Sequence, residues 1–234
     1  MSNFLSAGPY RLRRVADREI VVGVSGGSGA LLARRFVEIA LASRGLARLH
    51  LVISDAALMV ARNEIDASIT SPETWAARLE AGRPLRARLS IHANVDVGAP
   101  IASGSYPVAA MAVVPCSAGT LGSIANGTSR DLLQRAADVC LKERRTLLLA
   151  FRESPYSLIH IENMRRAAMA GAIIAPPLPA FYIDAPSVDR FLDAWCVRAV
   201  RALGLEPRGE QFRWKGAPGA RGAAGSPKPP RRSR

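Results

Sequence analysis

Two cations that could bind an anion, Arg135 and Lys142, lie seven residues apart in a segment with the spacing of a helix. Seven residues make about two helical turns, so both side chains can lie on one helical face. An apolar, strand-like run over residues 146–150 follows, and the charged pair Arg152 and Glu153 comes directly after it. Cations and a carboxylate at the ends of such elements are what a phosphate-binding pocket requires. On this segment alone, a solvated helix face with ordinary surface charges is the favoured interpretation.

A glycine-rich loop, residues 25–29, separates a strand predicted over residues 20–24 from a helix predicted over residues 30–44. Its glycines allow close backbone approach and its amides begin a helix, so it can hold a phosphate or form a plain tight turn. The loop lacks the Gly-Lys-Ser/Thr of a Walker motif and the Gly-x-Gly-x-x-Gly of a dinucleotide site. Ser54 stands at the end of the second strand, where an acidic residue would hold a ribose.

A second loop of small residues, 115–127, also enters a helix. The hydroxyl groups of Ser117 and Thr120 could contact a ligand ring or phosphate, or could serve only as a helix cap. Cys116 is interpreted as a small buried hydrophobe rather than a nucleophile, because no histidine is near it in the sequence.

Two polar residues near the C-terminal helix complete the candidates. A stiff proline-rich loop, residues 176–181, could fix Tyr182 as a hydrogen-bond donor, and Arg198 lies beside the apolar stripe of the last helix. Both could equally be ordinary surface or packing residues. The three histidines and three cysteines show no metal-ligand spacing, so we predict no metal site.

Strands and helices alternate along the chain. Further strands are predicted over residues 49–53, 111–114, 146–150 and 172–175, with Pro115 ending the second of these, and a last helix runs from near Ser187 to Gly204. This alternation predicts an α/β fold with a mostly parallel sheet covered on both faces. The polar loops all follow strands, and ligands bind at the carboxyl ends of strands in such sheets.

The composition limits the class of protein. The chain has 234 residues, of which 49% are hydrophobic, but no apolar run approaches the roughly 18 residues of a membrane span. Residues 206–234 carry eight Lys and Arg against two Glu, almost half of the net charge of +13. We therefore predict a basic N-terminal extension (1–18), one domain (19–205) and a disordered basic tail rich in Gly, Pro and Arg (206–234). The tail could bind nucleic acid weakly, but a role in solubility or no role is favoured. The widely spaced cysteines indicate a reducing cytoplasm.

Seven segments, in order along residues 19–205, resemble one known family. They are Gly23-Val24-Ser25-Gly26-Gly27-Ser28-Gly29-Ala30, Ala102-Ser103-Gly104-Ser105-Tyr106, Pro115-Cys116-Ser117 with Ile124-Ala125-Asn126-Gly127, Arg135-Ala136-Ala137-Asp138-Val139 with Leu141-Lys142-Glu143-Arg144-Arg145, Arg152-Glu153-Ser154-Pro155, Ile159-His160-Ile161-Glu162-Asn163-Met164, and Pro176-Pro177-Leu178-Pro179-Ala180-Phe181-Tyr182. The chain thereby resembles the UbiX-type flavin prenyltransferases of the FMN-binding flavoprotein superfamily.

This resemblance implies an activity. Such enzymes join a dimethylallyl group from dimethylallyl monophosphate to N5 and C6 of reduced FMN, and the prenylated FMN then serves a separate UbiD-type decarboxylase. The implied fold is a Rossmann-like, flavodoxin-type three-layer sandwich. The implied assembly is a homododecamer with sites between subunits, without membrane contact and with no expected role in binding nucleic acid.

The resemblance also implies roles for individual residues. The FMN-binding residues would be Gly26, Gly27, Ser28, Ser54, Ser117, Thr120 and Arg135, of which Arg135 pairs with the FMN phosphate. The dimethylallyl phosphate would be held by Lys142, Arg152, Tyr182 and Arg198. The catalytic residues would be Ser28, Glu64, Lys142 and Glu153, with the two carboxylates near the reacting centre.

Three positions depart from the family pattern. Gly27 replaces a common alanine, Asp55 replaces a common lysine, and Val97 stands near the place of an aromatic residue that some members have beside the prenyl group. Two other functions stay open: an FMN-dependent decarboxylase of aromatic acids, and a flavin-binding or carrier protein without catalysis. A related cysteine-decarboxylase type would show a Pro-x-Met-Asn segment, where this chain has Pro176-Pro177-Leu178-Pro179.

Overall fold

The computed structural model describes residues 18–80, 88–181, 183, 187–209 and 212. The strands are β1 (Arg18–Val24), β2 (Leu46–Ile53), β3 (Leu89–Ala93), β4 (Val108–Cys116), β5 (Thr146–Phe151) and β6 (Ile173–Ile174). The helices are α1 (Ala30–Ala42), α2 (Asp55–Glu64), α3 (Pro72–Ala77), α4 (Ala118–Ala125), α5 (Leu132–Lys142), α6 (Leu158–Met169) and α7 (Val188–Ala202). A short 3₁₀ turn, Pro100–Ala102, precedes β4.

The six strands form one sheet in the order β3-β2-β1-β4-β5-β6, and every neighbouring pair is parallel. Helices α1 and α7 pack on one face, and α4, α5 and α6 pack on the other. The predicted three-layer α/β sandwich is therefore confirmed. The strand order reverses direction between β1 and β4, and ligands bind beyond the carboxyl ends of the strands at such a switch point.

The central strands are apolar throughout because both faces of the sheet are covered. Along β1, Ile20 and Val22 enter the core under α1, whereas Val21 enters the core under α5. Phe36 and Trp75 are among the largest buried side chains of the first core. This burial on both faces makes the sheet the rigid base that carries the loops.

Two details of the predicted sheet were wrong. Pro115 does not end its strand: β4 continues to Cys116, and its pairing with β5 shifts register between Val113 and Cys116. A proline lacks the ladder N–H, so it is tolerated where the register shifts. The prediction also missed β3, whose residues are all partly or largely exposed.

The last helix begins and ends as predicted. The Ser187 side chain accepts a hydrogen bond from the Arg190 amide (3.2 Å), and Gly204 follows the helix with φ of +79°. The chain continues past the predicted boundary at 205, because Glu206 forms an antiparallel bridge with Arg44. Most of the tail predicted over 206–234, and the extension up to residue 17, lie outside the described residues. None of the helices in the described ranges is long and apolar enough to cross a membrane.

Candidate active site

Four loops meet at the carboxyl edge of the sheet, next to the switch point between β1 and β4. They enclose a cavity of about 390 Å³, within the range of small-molecule sites. It is lined by Gly26, Gly27, Ser28, Pro115, Cys116, Ser117, Ala118, Gly119, Arg152, Glu153 and Pro177. Six of the predicted site residues are thus brought together in one chain. We call this group of loops the carboxyl-edge site.

Ser25, which the sequence interpretation left without a role, fastens two of these loops together. Its buried hydroxyl donates to the Pro115 carbonyl (3.0 Å) and accepts from the Ser117 amide (2.8 Å). Both bonds join positions more than 89 residues apart in the chain. The only sequence signal was a serine directly after a buried strand, which is too common to identify such a bond.

Two of the three glycines that line the cavity, Gly26 and Gly27, differ in their surroundings. A Cβ on Gly26 would lie 2.5 Å from the Ala56 Cβ on α2, so only glycine lets the loop pass this helix. A Cβ on Gly27 would lie 3.5 Å from Pro115, an ordinary van der Waals contact. An alanine side chain would therefore fit at position 27, so steric crowding does not explain why this chain has glycine there.

Glu64 occupies the N-terminus of α1. Its Oε2 accepts hydrogen bonds from the amides of Gly29 (3.0 Å) and Ala30 (2.7 Å). These amides are the ones that the glycine loop would otherwise offer to a phosphate. A carboxylate from the end of α2 thus already satisfies the positive end of α1, next to the cavity.

The predicted serine and threonine residues act locally as helix caps. The Ser54 hydroxyl accepts from the Ala57 amide at the start of α2 (3.2 Å). The Ser117 hydroxyl accepts from the Thr120 amide (3.3 Å) and donates to the Thr120 hydroxyl (3.0 Å) at the start of α4. Ser117 lines the cavity, whereas Thr120 is buried behind it.

The two cations of α5 lie away from this cavity. Helix α5 starts beside the carboxyl end of β3, where the Asn94 carbonyl accepts from the Leu132 amide (2.8 Å), and leads back to the start of β5. It therefore runs against the strands, and Lys142 lies at the amino edge of the sheet. Arg135 is two turns earlier, where its Nε donates to the Ala102 carbonyl (3.2 Å) and its Nη1 to Asp138 (2.6 Å). Both cations therefore lie on α5, and neither of them lines the carboxyl-edge cavity of its own chain.

Lys142 has one acidic neighbour. Its ammonium group donates to the Glu143 carboxylate, and this bond lowers the pKa of Glu143. A phosphate bound by the Lys142 ammonium group would have to share that group with the Glu143 carboxylate or displace the carboxylate. Arg135 uses two of the five donors of a guanidinium in the bonds given above, which leaves donors for a ligand.

Arg198 lines a second, larger cavity of about 680 Å³ between α7 and the segment after β6. The lining is mostly apolar and includes Leu178, Phe181 and Trp195. Phe181 immediately precedes Tyr182, so Arg198 lies close to the segment predicted to carry its phosphate-binding partner. Tyr182 itself lies outside the described residues.

The carboxyl-edge cavity suits a flat ring system such as the isoalloxazine of FMN. Its floor is mostly backbone and small side chains, and nothing lies within 4 Å of a Cβ built on Gly119. One cation and one carboxylate, Arg152 and Glu153, stand at its rim. Burial raises the pKa of the Cys116 thiol, which keeps it protonated and unreactive at neutral pH. No group of three or more possible metal ligands comes together within the described ranges.

Comparisons with known proteins show the family of the chain. A family model described as Flavoprotein matches residues 11–185. The flavin prenyltransferase UbiX of Thauera aromatica is 42% identical over 187 residues, covering 80% of this chain and 89% of the relative. That of Synechocystis sp. is 40% identical over 202 residues, covering 84% and 96%.

The chain belongs to the UbiX family of flavin prenyltransferases.

Two solved structures of UbiX type also resemble it. The first is AnUbiX (PadA1) in complex with FMN and dimethylallyl pyrophosphate, with 40% identity, a TM-score of 0.73, and coverage of 85% of this chain and 98% of that one. The second is a dodecameric FMN-dependent UbiX-like decarboxylase from Escherichia coli O157:H7, with 34% identity, a TM-score of 0.70, and coverage of 85% and 99%.

Proposed function

We propose that this protein is a flavin prenyltransferase that transfers a dimethylallyl group from dimethylallyl monophosphate to N5 and C6 of reduced FMN. The observation that carries the proposal is the likeness to AnUbiX, a protein solved with both FMN and a dimethylallyl donor. FMN is thus a substrate of the enzyme. The cavity at the carboxyl edge, with a backbone floor and two charged groups at its rim, is the proposed flavin site.

Reduced FMN supplies the electron-rich ring that accepts the allylic carbon. The protein's part is to stabilise the negative charge that develops on the phosphate when the allylic C–O bond breaks. Lys142, Arg152, Tyr182 and Arg198 are the proposed ligands of this phosphate. Arg135 is the proposed partner of the FMN phosphate, for which it has donors left.

Joining the same five-carbon group to C6 as well consumes its C=C bond: the double bond takes up one proton, C6 loses another, and a carboxylate can accept the proton from C6. Glu153 is the better placed of the two predicted carboxylates, because it lines the cavity and its only hydrogen bond given by the structure is with the neighbouring Ser154 amide (3.2 Å). Glu64 is held by two amides and is proposed to fix the end of the glycine loop. Ser28 is exposed at the cavity and keeps its proposed role beside the ligands.

The proposed enzyme is a homo-oligomer, because Lys142 and the cavity lie at opposite edges of the same sheet. A site that contains both must take them from two copies of the chain. The dodecamer of the Escherichia coli relative supports this arrangement. The product, prenylated FMN, is proposed to pass to a UbiD-type decarboxylase, and the cytoplasm stays the predicted location.

The experiment is an anaerobic incubation of the purified protein with reduced FMN and dimethylallyl monophosphate, followed by mass spectrometry of the flavin. The expected result is FMN enlarged by one dimethylallyl group, and a parallel incubation with the diphosphate decides between donors. An unchanged mass in a protein that binds both ligands contradicts the proposal. Release of CO₂ from phenylacrylic acid by the FMN-loaded protein would instead favour a decarboxylase. Flavin binding without either reaction would favour a carrier.

A further inference from the structure

The segment from Ala102 to Tyr106, here called the 102–106 turn, is held against the end of α5 by the side chain of Arg145. The Arg145 Nη1 donates to the Tyr106 carbonyl (2.8 Å), and its Nη2 donates to the Gly104 carbonyl (2.6 Å). A planar guanidinium can make such a paired contact in one fixed orientation, which an ammonium group cannot. The turn therefore has its backbone fixed at two points by one half-buried side chain.

The end of α5 directs Arg145 toward this turn. Arg144 adopts a left-handed conformation with φ of +57°, its amide donates to the Leu141 carbonyl (3.1 Å), and the Arg145 amide donates to the Cys140 carbonyl (2.8 Å). This pair of bonds is a Schellman motif, which usually has glycine in place of Arg144. It reverses the chain directly after Lys142, so Lys142 and Arg145 both face the 102–106 turn.

The turn in its observed place lies against Lys142. A Cβ built on Gly104 would be 2.5 Å from the Lys142 Nζ, and it would also overlap the Glu143 carboxylate. The exposed side chains of Ser103 and Ser105, the sequence neighbours of Gly104, hydrogen-bond to each other (2.9 Å). A shift of the turn would therefore change the space around the ammonium group.

We infer that Arg145 is a positioning residue for the donor phosphate: it holds the 102–106 turn so that Lys142 presents its ammonium group to the phosphate of the dimethylallyl donor. The inference rests on the proposed function, because it takes Lys142 as a ligand of that phosphate. Arg145 itself touches backbone carbonyls and not the ligand.

The test compares Arg145→Met with Arg144→Met. Methionine keeps most of the apolar stem and removes the donors, and the exposed neighbour Arg144 loses the same charge without a bond to the turn. The Arg145 variant is expected to raise KM for dimethylallyl monophosphate about tenfold and to lower kcat, because a displaced Lys142 stabilises both the bound phosphate and its developing charge less well, whereas Arg144→Met leaves both unchanged. Arg145→Lys, which can reach one carbonyl, is expected to fall between Arg145→Met and the wild type.

Calorimetric titration of dimethylallyl monophosphate into the FMN-loaded protein gives a readout that does not need turnover. Weaker donor binding in Arg145→Met, with the melting temperature near that of Arg145→Lys, supports the inference. Unchanged KM and unchanged donor affinity in the folded Arg145 variants overturn it while the proposed function stands. A wild-type protein that binds the donor but never alters FMN overturns the proposed function instead, and the affinities of the variants still test Arg145.

Discussion

The two edges of the sheet carry the two kinds of polar site residue, and they differ in how complete each is within one chain. At the carboxyl edge, four loops enclose a cavity, Ser25 ties two of them together, and Glu64 caps the adjoining helix. At the amino edge, Lys142 lies against the 102–106 turn, which Arg145 holds by two backbone carbonyls. The first region is a cavity within one chain, whereas the second is proposed to complete the site of another copy.

The direction of α5 explains this difference. A helix that crosses over between parallel strands runs against them, so residues at its end reach the edge opposite to the loops that bind ligands. Lys142 can serve the cavity of another copy but not that of its own chain.

The largest expected effect is the loss of prenyl transfer in Lys142→Ala. Removal of a cation that stabilises the leaving phosphate should lower the rate by about 100-fold or more. FMN affinity should change by less than about threefold, because the cavity belongs to the other edge of the sheet. Single-turnover assays and flavin titration measure the two quantities. Arg144→Ala, at the same edge, is the control, and equal losses in both variants would contradict a specific role for Lys142.

A mixture of two inactive variants tests the division most directly. Glu153→Gln alters the carboxyl edge and Lys142→Ala alters the amino edge, so each alone should lose most activity. If the two edges meet between copies, co-assembled equal mixtures should regain about a quarter of wild-type activity. In random assembly, about a quarter of the sites combine an unaltered Glu153 from one copy with an unaltered Lys142 from another. The two variants are unfolded, mixed and refolded together, and their prenyl-transfer activity is compared with that of the same variants refolded separately. An absence of recovery in verified mixed assemblies would show that both residues act within one chain.

A smaller effect is expected from the paired glycine variants of the carboxyl edge. Gly26→Ala would push the loop from Ala56 and should cost about 1–3 kcal/mol of unfolding free energy, together with flavin affinity. Gly27→Ala fits the space beside Pro115 and should stabilise the fold by about 0.4–1 kcal/mol. Urea unfolding and FMN titration check both. Neither change should affect donor binding at the amino edge, and a similar response of the two variants would refute the packing argument.

The smallest effect concerns pH and the supports of the amino edge. A chain of hydrogen bonds runs from His92 through His50 and Glu19 to Tyr106, the last residue of the 102–106 turn. Burial lowers the pKa of His92, although Asp96 opposes this. The Tyr106 hydroxyl and His50 lower the pKa of Glu19, and Arg48 acts in the same direction. Because the unfolded chain takes up a proton at His92 more readily, stability should fall as the pH drops below about 6.5.

The matched variant is His92→Gln, which keeps a donor for His50 and does not titrate. Its unfolding free energy, measured in urea at several pH values between 7.5 and 5.5, should fall less steeply with acid than that of the wild type. Parallel curves for the two proteins would remove His92 from this role.

Much of the carboxyl edge could be predicted from the sequence, because its information is local. A buried strand, a glycine loop and a helix follow one another in residues 20–44, and the periodicity alone determines their order. The alternation of elements then predicts a parallel sheet with loops at one edge. The two errors in the predicted sheet also have local causes. Pro115 does not end β4 because a proline is tolerated at a shift of register, and β3 was missed because this short, half-exposed strand lacks a strong apolar signal.

The amino edge could not be predicted in the same way. The seven-residue spacing of Arg135 and Lys142 fixes a shared helical face but not the loop that this face meets. The role of Arg145 depends on contacts with Gly104 and Tyr106, which no nearby pattern indicates. The resemblance to a family supplies the candidate site residues, and their distribution over two edges is a property of the folded chain.

The cap on α1 has a consequence for the orientation of the substrates. A helix end that carries a carboxylate in place of a free pair of amides repels a second anion instead of attracting it. Glu64 therefore disfavours binding of either phosphate at the glycine loop. The uncharged flavin ring and the prenyl chain can still pack against this loop. The glycine loop resembles a phosphate-binding loop in sequence, but it would instead set the orientation of the substrates. Each substrate would bind with its charged end directed away from α1.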